Sequence, residues 1–97
     1  MDHLSRLKNW YADQCDGDWE HSYGINLETL DNPGWWLRID LIDTEVEHKA
    51  FTPIHRGDSD DDLDWIHCKV ESGQFHASGG MPNLPEMFET FLSWASY

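Results

Sequence analysis

The strongest constraint in this chain is a pair of period-two runs on either side of Asp31-Asn32-Pro33-Gly34. Ahead of that tetrapeptide, Trp19, Tyr23, Ile25 and Leu27 alternate with Glu20, Ser22, Asn26 and Glu28. After it, Trp35, Leu37, Ile39 and Leu41 oppose Trp36, Arg38, Asp40 and Ile42. Such alternation puts apolar side chains on one face of an extended strand and polar ones on the other. Pro followed by Gly suits the centre of a tight turn, because Pro holds φ negative and Gly accepts positive φ. The segment therefore reads as a β-hairpin with one buried face.

Both ends of the chain have a helical period instead. Leu4, Leu7, Tyr11 and Cys15 recur at spacings of three and four, Trp10 widens the stripe, and Asp16-Gly17 supplies a stop. Near the other end, Asn83 is a candidate cap, Pro85 sits in the tolerant first turn, and Glu86 follows three after the cap. Leu84, Met87, Phe88, Phe91, Leu92 and Ala95 then trace one face. In between, Val46, His48 and Ala50 can line a third strand, which Pro53 restricts to an edge or a break. Gly57 to Asp62 is a polar loop. Asp64 to Glu71 alternates with Ile66, Cys68 and Val70 on one face. Ser72-Gly73 is a turn, Phe75 and Ala77 suggest a short partner strand, and Gly79-Gly80 ends the pattern. The expected fold is α+β: an N-terminal helix, an antiparallel meander of about four or five strands, and a C-terminal helix packed on the sheet. With no repeat and no linker, residues 1–97 are expected to form one domain.

Charge narrows the partners. Six Lys plus Arg against nineteen Asp plus Glu leave a formal charge of −13. Hydrophobic residues at 39%, with six Trp, are too rich in core-forming material for a disordered chain. The acidic balance argues against nucleic acid, which calls for a basic footprint, and against anionic membranes. A basic protein is the natural complement. No apolar run approaches the ~18 residues of a membrane span, and the first residues do not read as a secretory signal. Cys15 and Cys68, neither in a C-x-x-C pair, read as reduced thiols of a cytoplasmic protein.

Several groups of residues could carry function. Asp58, Asp60, Asp61, Asp62 and Asp64 crowd one loop. The spacing of Asp58, Asp60 and Asp62 resembles a calcium loop, but Leu63 stands where the sharp turn needs Gly and Lys69 where the closing Glu belongs. The loop is then either a solvated surface or a docking surface that steers a cationic partner. Cys15 with His21 as base, or Asp18 with Glu20 as acid and base, would make an enzyme. Against this, Cys15 lies on the apolar helix stripe, and His21 shares the face of Trp19 and Tyr23 while Glu20 points away. The six His show no paired short spacing that would gather metal ligands. No catalytic residue, cofactor or metal is expected. Trp36 and Trp65 fall on the polar faces of their strands, where a covering layer could bury them or a partner could use them as anchors.

The run Cys15-Asp16-Gly17-Asp18-Trp19-Glu20-His21, preceded by Trp10-Tyr11 and followed by Tyr23-Gly24-Ile25 and by Leu30-Asp31-Asn32-Pro33-Gly34-Trp35, resembles the bacterial immunity protein 53 family. The Asp64-Trp65-Ile66 segment and the helix ending in Phe91-Leu92-Ser93-Trp94 are similar too, so the resemblance covers nearly the whole chain. It implies a cytoplasmic, non-enzymatic protein of a polymorphic toxin system that binds and neutralises a cognate toxin. Basic toxins, nucleases among them, would suit an acidic inhibitor. Two other classes stay open: an acidic module for a different basic protein, and a hydrolase built on Asp18, Glu20 and His21. Oligomeric state is not legible.

Overall fold

The computed structural model describes residues 2–58 and 62–97. The chain forms α1 (His3–Gln14), α2 (Trp19–Ser22), β1 (Ile25–Leu30), β2 (Gly34–Asp40), β3 (Ile54–Arg56), β4 (Ile66–Glu71), β5 (Gln74–Gly80), a short 3-10 turn (Met81–Asn83) and α3 (Leu84–Trp94). The strands make one antiparallel sheet in the order β1-β2-β5-β4-β3. The expected α+β architecture, with terminal helices and a five-stranded sheet, is the one that forms. The chain leaves β2, builds β3 at the far edge, and returns through β4 and β5 to fill the gap.

One sheet face carries Leu37, Ile39, Ile66, Cys68, Phe75 and Ala77, all buried. Met87, Phe88, Phe91, Leu92 and Ala95 of the α3 segment pack on it, together with Trp10 of α1. Full burial of Phe91 or Leu92 stabilises by about 1.5–3 kcal/mol each. Trp10 meets Phe91 edge-on at 5.0 Å and Trp19 edge-on at 6.0 Å. Arg6 ties the two helices, its guanidinium gripping Glu89 while its Nε donates to the Tyr97 carbonyl at 2.9 Å.

Several local expectations change. The α1 stripe is rotated: Leu4 is 70% exposed and Tyr11 lies out, while Trp10 and Gln14 are buried. Arg6 and its Glu89 partner set that rotation by pulling the adjacent side of α1 onto α3. Trp19 begins a single helical turn, not a strand. The Asp16 carboxylate accepts the amides of Asp18 and Trp19, and the Glu20 carboxylate accepts those of Asp16 and Gly17. These local bonds outcompete the period-two pattern. Residues 43–50 coil through successive turns that drop Val46 into the core, so the third strand is only Ile54–Arg56. The Gly79-Gly80 pair lies inside β5 rather than ending it. Asn83 holds the N-cap position of α3 without capping; its Nδ2 donates instead to Asp64 at 3.0 Å and to the Trp65 carbonyl at 2.9 Å.

The hairpin forms where expected, but its turn is Asp31-Asn32-Pro33: Gly34 is not a central turn residue, since it already opens β2 opposite Leu30 and has no positive φ. Its side-chain position is closed instead: a Cβ there would stand 2.5 Å from the Gly79 carbonyl oxygen.

Candidate functional site

Among the described residues, no helix covers the second sheet face. Register places His55, His67, Ser78, Trp36 and Glu28 side by side across all five strands. The next row runs Lys69, His76, Arg38 and Asn26. A shallow depression of about 540 Å³ lies over these rows, lined by Trp36, His55, His67, Lys69, Glu71 and His76 among others. Half-buried Trp36 stacks against His76 at 6.3 Å, and the Arg38 guanidinium sits 4.2 Å from its ring centre. Arg38 also pairs with Glu28, and Lys69 with Glu71 at 2.8 Å. His55 and His67 stack across the β3–β4 pair at 4.0 Å. Burial, then the neighbouring Lys69 and Arg38 charges, push the His76 imidazole below its ordinary value, which keeps it neutral at neutral pH. The histidines that look scattered along the chain are thus partly gathered here. The signal in the sequence was the alternate, polar set of positions on β2, β4 and β5.

The two candidate anchors separate. Trp36 stays on the open face, whereas Trp65 is 4% exposed. Trp65 lies against Gly34 and Gly80, where a Cβ would stand 3.4 Å and 3.2 Å from its ring. The loop that carries it is clamped: Arg56 binds Asp64 at 2.8 Å and Glu86 at 2.7 Å. Arg56, then Asn83, hold the Asp64 carboxyl below the usual carboxylate range. Asp64 is therefore already paired within the protein. Asp58 and Asp62 are exposed, and Asp60 and Asp61 lie outside the described residues.

The Cys15–His21 segment is a closed local network. Backbone amides of Trp19 and Asp18 lower the Asp16 carboxyl, and backbone amides lower that of Glu20 as well. Trp19 Nε1 donates to the Ile42 carbonyl at 2.9 Å, tying the segment to the end of β2. His21 and Asp18 are exposed. A small depression of about 410 Å³ beside them is lined by Asp16, Asp18, Trp19, Ser22, Tyr23 and Asp43, with His21 and Glu20 outside it. Among the described residues, no three His, Cys, Asp or Glu side chains gather as metal ligands.

The model of a family described as immunity protein 53 matches residues 4–96 of the chain. The chain belongs to this family. An immunity function, with a cognate toxin as partner, follows from that membership. Nothing matches the chain among curated proteins or solved structures. The stretches that carry the resemblance now have structural roles. In this immunity protein, Asp16, Gly17 and Glu20 shape the turn after α1, and Trp19 plugs the core. Asp31, Asn32 and Pro33 connect β1 to β2, and Gly34 lets β2 approach β5. Trp35 packs against the core and donates its Nε1 to the Met81 carbonyl at 3.1 Å. Among the described residues, no helix is long and apolar enough to cross a membrane.

Proposed function

We propose that this immunity protein neutralises its toxin by stoichiometric binding, and that the toxin surface it covers is basic. The observation that carries this is the unbalanced charge. Arg6, Arg38, Arg56 and Lys69 each pair with a carboxylate of this same chain, so the net −13 is left for an outside partner. Self-repulsion of that size opposes compaction, and a cationic partner relieves it. A toxin domain that acts on nucleic acid would be basic for the sake of its own substrate. Asp58, Asp60, Asp61 and Asp62 then speed encounter, and Trp36, on the open sheet face, slows release. Trp65 and Asp64 serve the fold and only support this surface.

The test is association kinetics with the cognate toxin domain. Converting Asp60, Asp61 and Asp62 to Asn lowers the on-rate at low ionic strength, and the difference closes in high salt. An on-rate unchanged at low salt refutes steering. Catalytic turnover of the toxin by substoichiometric protein refutes the binding mechanism, and attention would then move to Asp18, Glu20 and His21.

A further inference from the structure

The two edges of the sheet are unlike. β3 is blunt: three residues, with Pro53 directly before it. β1 is six residues long in unbroken register, and Asn26, Leu27, Glu28 and Thr29 are all exposed. It contains no Lys, Arg or Pro, the residues that usually protect an edge. Its outer side is also ready to bond. The Asp40 amide donates to the Gly24 carbonyl at 3.0 Å, which makes that opposed couple a hydrogen-bonded one. Alternation along the ladder then turns the amides and carbonyls of Ile25, Leu27 and Thr29 away from β2. Among the described residues, no backbone hydrogen bond outside the sheet engages β1.

An apolar groove of about 490 Å³ lies beside this edge on the helix side, lined by Leu4, Leu27, Leu84, Pro85 and Phe88 with Asp2 and His3. Leu4 at 70% and Leu27 at 44% are exposed in it. On the opposite side of the same strand stand Asn26 and Glu28. A strand laid along β1 would therefore meet apolar surface at one residue and, at the next, the polar row of Asn26 and the Arg38-bound Glu28.

We infer that β1 is a strand-addition site, and that its occupant is an extended segment of the toxin in which an apolar side chain is flanked by Lys or Arg. The apolar side chain enters the groove below Leu27, and the flanking cations answer the chain's excess of thirteen negative charges, since Glu28 is itself bound by Arg38. Main-chain bonds to Ile25, Leu27 and Thr29 hold the register. A second copy of this chain is a poor occupant, since each copy carries −13. That the segment belongs to the toxin rests on the immunity reading. The strand-addition chemistry does not.

The test uses the whole protein, labelled for amide NMR, and a synthetic peptide alternating Lys and Val. Amide exchange at Leu27 and Thr29 slows by at least roughly tenfold on saturation. A peptide alternating Glu and Val has no such effect. Leu27→Pro and Thr29→Pro remove only outward amides, which an edge strand tolerates, and each abolishes the protection. Equal protection by both peptides, protection confined to other strands, or β1 pairing between copies overturns the inference. In toxin-producing cells, a proline variant with unchanged melting that still protects overturns strand addition alone. Failure of the unmodified protein to protect overturns the immunity reading, and the peptide result stands apart from it.

Discussion

Replacing Gly34 by Ala isolates close packing from turn geometry. The Ala Cβ would stand 2.5 Å from the Gly79 carbonyl oxygen, about 0.9 Å inside ordinary contact at roughly 3.4 Å. The obstacle is backbone of the neighbouring strand, so no rotamer change relieves it. Gly34 pairs with Gly80 and Trp35 with Gly79, so β2 and β5 must part at this end. Overpacking of this kind costs about 1–3 kcal/mol. A middle value of about 2 kcal/mol is a large share of the roughly 5–15 kcal/mol that hold a domain together. At about 4–8 °C per kcal/mol for a chain this size, melting falls by ~8–16 °C. Gly34→Val costs more, because its extra methyls need room beside the Trp65 ring, already 3.4 Å from the Cβ position. Equilibrium urea unfolding, followed by the tryptophan emission, measures both. The comparison is Gly17→Ala, where φ is +96° and nothing lies within 4 Å of the added Cβ, so only the conformational cost of about 1–2 kcal/mol applies. If Gly34→Ala costs less than about 1 kcal/mol, the packing argument is wrong.

Three further outcomes are expected. Hydrogen bonds from Arg6, Ser93 and His3 hold the Glu89 carboxyl down at about 2, against an ordinary 4.5. Its contribution is thus complete above about pH 4.5 and lost as pH falls from there toward 2, so the melting curves of the protein and of Glu89→Gln should converge over that window and differ above it. Burial pushes the Cys68 thiol up to about 11; a thiol reagent at pH 8 should modify half-buried Cys15 in the native protein and reach Cys68 only on unfolding, whereas prompt modification of both would contradict the packing of β4. Trp36→Ala should weaken toxin binding by at least about 2 kcal/mol, a roughly 30-fold rise in Kd, with melting nearly unchanged; calorimetry showing full affinity would remove Trp36 from the interface.

Much of the fold is legible in the residue pattern alone. Ile66, Cys68 and Val70 lie on the helix-packed face, as their alternation requires. Leu84, Met87, Phe88, Phe91 and Leu92 line the buried side of α3. These patterns are strictly local: a period of two or of 3.6 decides which side chains share a face, whatever the rest of the chain does. The same logic failed at Trp19, where side-chain caps from Asp16 and Glu20 made a helical turn cheaper than a strand. It failed at Leu4 and Tyr11 because three-and-four spacing defines a stripe but not which side of it another helix will hold.

What the sequence by itself determined was the type of most elements, the acidic excess and the family signature, all properties of neighbouring residues or of simple sums. The tertiary structure alone decided that Trp65 is packing and Trp36 surface, since burial depends on which distant glycines come to lie beneath a ring. It alone decided that Asp64 is neutralised by Arg56 and Glu89 by Arg6, since ion pairs need chain segments brought within about 4 Å. It also decided which strand ends as an open edge. The order β1-β2-β5-β4-β3 is set by long-range pairing, and a strand cannot signal in its own residues that no neighbour will arrive on one side.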